Sequence, residues 1–380
     1  LVKMIKLSKS IIGEEEKNAV IGVLDKEYLG MGEEVGIFEK ELSKLFSRDI
    51  ACVSSGTAAI QLAIQACNIG IGDEVLVQSM TYVATFQAIK ATGAKPIACD
   101  INEESCLIDL NDIKAKITDK TKAIIPVHYT GGVGNLDELY KIASNNKLRV
   151  IEDAAHAFGT KYKNQLVGSF GDIVCFSFDG IKNITSGEGG CVVSSDSKII
   201  KNVKNSRLLG VEKDSDKRYI NSRSWNFDVL NQGWRYHMSN IMAAIGIEQL
   251  KKLKKFANRR KQIATAYDKL LSSNQDIIFL NRDYKNVVPH IYVVRIKDLN
   301  DRDGLRKAMF KEGVEIGVHY TPNHFLNFFK TDKKVKLPVT EKVYKEIISL
   351  PIHPDINNDD IKYVISTLKK LLPFYKENAN

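Results

Sequence analysis

Residues 49–67 read DIACVSSGTAAIQLAIQAC. A short run that is apolar on both faces passes through Ser54-Ser55-Gly56-Thr57 straight into a segment with helical spacing. A strand that is apolar on both faces belongs to a sheet covered by helices on both sides, which is the signature of an α/β layer. The same transition recurs. Candidate strands follow at EVLVQS (74–79), KPIACDI (95–101), TKAIIPVHY (121–129), RVIEDAA (149–155), DIVCFSF (172–178) and GCVVSS (190–195). Segments such as YVATFQAIKATG (82–93) and NLDELYKIASNN (135–146) separate the first five. This alternation predicts a large, mostly parallel α/β sheet. The last two strands have too little chain between them for a crossover, so they are expected to pair antiparallel.

Working outward, GEEEKNAVIGVLDKEYL and VGIFEKELSKLFS read as two helices ahead of the sheet. An irregular stretch, 203–235, follows it and leads into a helix, SNIMAAIGIEQLKKL. From about residue 250 the texture changes to a long basic helix and short strands IIFL, HIYVVRI and GVEIGVHY, with helices between and after them. We therefore expect a large α/β domain over 1–250, N-terminal helices included, and a smaller C-terminal α+β domain over 251–380.

Composition narrows the function classes. The chain has 380 residues and a net charge of +9, but its 55 basic residues are mixed with 46 acidic ones. The basic cluster QLKKLKKFANRRKQ (249–262) has the spacing of a solvated helix face, and no nucleic-acid reader motif accompanies it. No apolar stretch approaches the roughly 20 residues of a membrane helix, and the lysines of LVKMIKLSKSIIGEEEK interrupt any signal-peptide core. The six cysteines lie mostly in apolar runs without a CxxC pair, as expected of reduced, buried thiols rather than of a metal site. The expectation is a cytoplasmic protein without nucleic-acid, membrane or metal partners.

Ligands of open α/β sheets collect beyond the carboxyl ends of the strands. Four such ends carry suggestive residues. SSGTAAI (54–60) offers free backbone N–H groups and a hydroxyl at a helix N-terminus, a cradle for phosphate, although Ser and Thr are also ordinary caps. Tyr82 begins a helix and could stack on a planar ring, or simply pack. In IEDAAHAFG (151–159), Asp153 ends a strand where a lone carboxylate needs a cation or several donors, and His156 follows one turn on. In CFSFDGIKNITSGEGG (175–190), Ser177 points away from the aromatic face, and Lys182 stands just before a glycine-rich turn. Singly, each has a structural explanation. In this order they match the needs of pyridoxal 5′-phosphate: a phosphate cradle, a flat aromatic, a carboxylate for the pyridine nitrogen and a Schiff-base lysine.

The chain resembles nucleotide-sugar aminotransferases of the DegT/DnrJ/StrS family, within the fold-type I pyridoxal-phosphate enzymes. The resemblance runs from GEEEKNAV through SSGTAAIQLA, TYVATFQAI, PVHYTGG, EDAAHAFGT, FSFDGIKNITSGEGG and YHMSNIMAAIGIEQL to SLPIHPDI (349–356). It implies that Lys182 forms the Schiff base, Asp153 pairs with the pyridine nitrogen and Tyr82 stacks on the ring. It further implies that Gly56, Thr57 and Ser177 bind the phosphate and that His156 lies beside the phenolic oxygen. In the family a segment of the partner subunit completes each phosphate site, which implies a homodimer with shared active sites. That segment here is GWRYHMSN (233–240), which offers Arg235 and His237 where many relatives have Asn-Tyr-Arg or Tyr-Asn. Asp179-Gly180 also replaces the His- or aromatic-containing spacer of many members.

The implied reaction moves an amino group from L-glutamate to a keto group of a nucleotide-linked sugar, on the way to a surface polysaccharide or glycan. Lys182 serves as the proton carrier. His319, Tyr320 and His324 of GVHYTPNH fall where relatives approach the sugar, with contact and a structural role both open. Two other readings share the fold. A sugar dehydratase is disfavoured because such members replace the lysine with histidine, and a non-catalytic regulator is disfavoured by the intact lysine–aspartate pair.

Overall fold

The computed structural model describes residues 4–212, 214–223, 225–229, 231–330 and 335–376. Residues 1–3 of the N-terminal segment and positions 213, 224 and 230 of the irregular stretch lie outside that description.

Helices α1 (Glu14–Asp25) and α2 (Glu33–Phe46) come first. Strands and helices then alternate: β1 (Asp49–Val53), α3 (Gly56–Ala66), β2 (Glu74–Gln78), α4 (Val83–Ala91), β3 (Lys95–Cys99), α5 (Leu110–Lys116), β4 (Thr121–Ile125), α6 (Leu136–Asn145) and β5 (Arg149–Asp153). A short hairpin, β6 (Lys161–Tyr162) and β7 (Gln165–Leu166), precedes β8 (Ile173–Ser177) and β9 (Gly190–Ser194). The seven long strands form one sheet in the order β1-β9-β8-β5-β4-β2-β3. Pairings from β8 to β3 are parallel, whereas β9 runs antiparallel to both β8 and β1. The fold is thus the α/β architecture that the alternation predicts, including the antiparallel last pair.

Alternation along the strands fills two cores. Ala51, Val53, Ile173 and Cys175 pack on one face with the apolar side of α3, while Ile50, Cys52, Val174 and Phe176 pack on the other with α2. A buried ion pair ties α2 to the sheet. Arg207 Nη1 reaches both Glu39 Oε1 and the Cys52 carbonyl at 2.5 Å, and Glu39 also accepts from the Cys52 amide at 2.6 Å. Arg207 follows α7 (Ser197–Ser206), and α8 (Asp214–Arg218) is the one further helix described before residue 235.

Helix α9 (Asn240–Leu271) is 32 residues long and is capped by Ser239, whose hydroxyl accepts from the Met242 amide. Its N-terminal half buries Ala243 among the residues of the large sheet. Its C-terminal half buries Ile263, Ala264, Tyr267 and Leu271 in a separate, C-terminal core. Residue 250 therefore lies within a continuous helix. The C-terminal core surrounds a small antiparallel sheet of β10 (Ile277–Phe279), β11 (Tyr292–Ile296) and β12 (Ile347–Leu350), with α10 (Arg302–Lys311), α11 (Pro338–Glu346) and α12 (Asn358–Leu371) around it.

One expected strand is absent. GVEIGVHY makes only isolated bridges, Val314 to Ile5 and Gly317 to Ser349. Its polar groups serve the N-terminal segment instead, with the Glu315 carboxylate accepting from the Leu7 amide at 3.0 Å. The third strand comes from Ile347–Leu350, whose residues pair with Tyr292–Arg295. Among the described residues no helix is long and apolar enough to cross a membrane.

Candidate active site

A cavity of about 470 Å³ opens where β1, β2, β5 and β8 end. Its lining includes Gly56, Thr57, Tyr82, Asp153, His156, Ser177 and Lys182, and it gathers residues separated by more than a hundred positions in the chain. His319 and Tyr320 close it from the C-terminal part.

The cradle comes from the β1–α3 junction. Ser55 caps α3, its hydroxyl accepting from the Ala58 amide at 3.1 Å. Gly56 and Thr57 are the first helical residues, so their amides have no acceptor within the helix and lie at its positive end. A Cβ on Gly56 would stand 2.8 Å from the Cβ of Ser177 and 3.1 Å from its hydroxyl. Only glycine lets this turn approach the end of β8 so closely.

Asp153 ends β5 and is buried. Its backbone is fixed by the Pro126 carbonyl and by the His128 amide, both at 3.0 Å. Its side chain accepts from the Thr85 hydroxyl at 2.7 Å and from the Ala155 amide at 3.2 Å. Burial pushes its carboxyl above the ordinary range, outweighing these donors and the charges of Lys182 and His128. A carboxylate so placed is a ready partner for a further cation.

Lys182 follows β8 after a tight turn in which its own amide donates to the Asp179 carbonyl at 3.0 Å. Burial pulls its ammonium below the ordinary lysine value, with Asp179 and Asp153 acting the other way. Its Nζ lies 3.4 Å from His290 Nε2. His156 pairs through Nε2 with the Tyr320 hydroxyl at 3.0 Å, and burial keeps its imidazole neutral. His319 is held by the Ser349 hydroxyl at 2.7 Å, and burial lowers its value to about 4. Tyr82, 58% exposed, presents its ring at the rim, 5.6 Å from that of Tyr320.

Three expected residues lie away from this lining. His324 is buried against Ser79, whose hydroxyl is 2.7 Å from His324 Nδ1. Arg235 and His237 line a separate recess of about 190 Å³ with Arg218, Arg223, Trp225 and Phe227. Their segment runs beside the end of β1, where the Ser54 amide donates to the Tyr236 carbonyl at 2.7 Å. Trp225 is 90% exposed there.

Sequence reasoning missed Thr85, Glu188 and His290. Thr85 sits one helical turn after Tyr82, a spacing that could have identified it. Glu188 belongs to GEGG and lines the cavity, its carboxyl raised by burial and then by Asp179. His290 stands just ahead of β11, and only the tertiary fold brings it to Lys182.

Comparison with known proteins agrees with this geometry. The profile of the DegT/DnrJ/EryC1/StrS aminotransferase family matches residues 10–369. The chain is 37% identical over 372 residues to the uncharacterized protein MJ1066 of Methanocaldococcus jannaschii, covering 95% of this chain and 96% of that one. It is 33% identical over 377 residues to the spore coat polysaccharide biosynthesis protein SpsC of Bacillus subtilis, covering 96% of each. Among solved structures, the putative sugar aminotransferase Spr1654 from Streptococcus pneumoniae in its PMP-form superposes with a TM-score of 0.91 at 28% identity, covering 98% of this chain and all of that one. Its PLP-form superposes equally well.

Proposed function

The chain belongs to the DegT/DnrJ/EryC1/StrS aminotransferase family, and on that premise we propose that it transfers the amino group of L-glutamate to a keto group of a nucleotide-linked sugar, for the synthesis of a surface polysaccharide or glycan. It is a pyridoxal-phosphate-dependent aminotransferase acting in sugar metabolism. The observation that carries the reading is the single cavity joining the α3 cradle, Tyr82, Asp153 and Lys182.

The residues fit the cofactor. Asp153 is a buried carboxylate whose charge burial disfavours, and a protonated pyridine nitrogen would restore it. The amides of Gly56 and Thr57, with the Ser177 hydroxyl, would hold the phosphate. Tyr82 would cover one face of the ring, and His156 would lie beside the phenolic oxygen. When bound, pyridoxal phosphate supplies a carbonyl that takes up and gives back an amino group and a ring that withdraws electrons from the reacting carbon.

The chain supplies the proton handling. Lys182 Nζ, kept toward its neutral form by burial, takes the proton from Cα of the amino donor and returns one during amination of the sugar. Asp153, its two carboxyl oxygens fixed by Thr85 and Ala155, would hold the protonated ring nitrogen. His319 and Tyr320, with Glu188, face the side where the sugar would enter.

We further propose a cytoplasmic homodimer with shared sites. Six unpaired thiols support the compartment. The recess of Arg235 and His237, flanked by an exposed Trp225, supports the partner's contribution to the phosphate site.

The test is spectroscopic. Purified protein should be yellow, lose its visible band on addition of L-glutamate, and recover it with one member of a set of keto-sugar nucleotides. A protein that gains no visible absorption with pyridoxal phosphate would overturn the reading. Mixing Lys182→Ala chains with chains changed at both Arg235 and His237 should restore part of the activity if sites are shared.

A further inference from the structure

His290 is pinned where it meets the lysine. Its carbonyl accepts from Arg260 Nη1 at 2.9 Å, its side chain is 2% exposed, and its ring lies 4.5 Å from that of His156. Arg260 is itself fully buried and also reaches the Ile352 carbonyl at 3.2 Å. The backbone of His290 is thus anchored by α9 at the start of β11, and Arg260 Nη2 also reaches the Ile181 carbonyl beside Lys182 at 3.5 Å, so one guanidinium holds both partners in register. The His290 Nε2 is 3.4 Å from Lys182 Nζ.

We propose that His290 is a positioning residue that accepts a hydrogen bond from the Lys182 amine whenever that nitrogen is not joined to the cofactor, and so parks it inside the cavity with its lone pair free. This rests on the reading of Lys182 as the cofactor-bearing lysine. A four-carbon side chain loses rotamer freedom to reach one place, and a buried amine needs a partner to offset lost water. The other groups facing Lys182 leave this task to His290. Asp179, Asp153 and Glu188 act on it through charge, as does Arg260 in the opposite sense, while burial and the Lys182 charge hold the His156 and His319 values low. Burial keeps the His290 imidazole neutral, so it accepts a hydrogen bond without taking the proton away. Transfer of a proton from the donor Cα to Lys182 Nζ then begins from a fixed nitrogen rather than from a mobile chain.

The experiment compares wild type with His290→Phe, which keeps the ring volume, and His290→Gln, which restores an acceptor. In the full-length cofactor-free protein, the pH dependence of Lys182 labelling by an amine reagent, read by peptide mass spectrometry, reports the amine directly. Loss of the acceptor disfavours the ammonium, so the labelling midpoint should fall by about one pH unit in His290→Phe. In the loaded enzyme, the rate of the glutamate half-reaction should fall about 10-fold or more, with little change in donor KM and a larger isotope effect from Cα-deuterated glutamate. His290→Gln should recover part of both. Unchanged labelling in His290→Phe, or a His290→Gln variant no better than His290→Phe, would overturn the proposal. The labelling arm needs no cofactor, so it separates failure of this inference from failure of the proposed reaction.

Discussion

The Thr85 hydroxyl donates to Asp153 Oδ2 at 2.7 Å, which joins the first turn of α4 to the end of β5 across the floor of the cavity. The same helix turn carries Tyr82 at the rim. One short element therefore sets both the aromatic proposed to cover the ring and the orientation of the carboxylate.

Thr85→Val keeps the shape and deletes the donor. Cofactor affinity should fall about 10-fold, in keeping with loss of one hydrogen bond to a charged group. Fluorescence titration of the cofactor-free protein measures it, with an unchanged circular dichroism spectrum as the control for folding.

Lys182→Met should abolish turnover and yet stabilise the cofactor-free protein. Because burial lowers the Lys182 value, the unfolded chain binds more protons at this position than the folded one between the folded value and the ordinary lysine value near 10.4. Wild-type stability therefore drops as pH falls through that window, and methionine removes the effect. Differential scanning calorimetry at pH 7 should show Tm raised by roughly 2–4 °C, with the gap closing as pH approaches 10.

Gly56→Ala tests the close approach of α3 to β8. With 2.8 Å between the new methyl and the Ser177 Cβ, the cradle must open by several tenths of an ångström. The expected result is a loss of about 10-fold or more in affinity for the phosphorylated cofactor and much less for unphosphorylated pyridoxal. Equal losses for the two would place the effect elsewhere.

Arg207→Met removes the closer of two cations paired with Glu39, at 2.5 Å against 3.7 Å for Lys204, and leaves the buried carboxylate with the weaker partner. Urea unfolding should show a loss of about 3–5 kcal/mol. Burial raises the Glu39 value, but the charges of Arg207 and Lys204 prevail and hold it below the usual range. Its contribution is thus present above the ordinary carboxylate value and lost as pH falls. The wild type should lose stability more steeply on acidification than the variant.

The large sheet was legible because its strands are apolar on both faces and its helices intervene at regular spacing, as in 49–67. The gathering of the candidate site was legible where residues end a strand or follow it by one turn, as Asp153 and Lys182 do. GVEIGVHY misled because alternating apolar residues describe a half-buried extended segment equally well, and Gly317 meets only Ser349. His290 was invisible because its meeting with Lys182 depends on how the C-terminal sheet docks, which no local pattern encodes.

At 1.5 Å per residue the 32 residues of α9 make a rod about 48 Å long, sunk into the N-terminal core at one end and the C-terminal core at the other. A rod cannot swing open as a loop hinge does. With one helix packed into both cores, side chains at the cavity mouth such as Tyr82 are expected to limit the size of what enters.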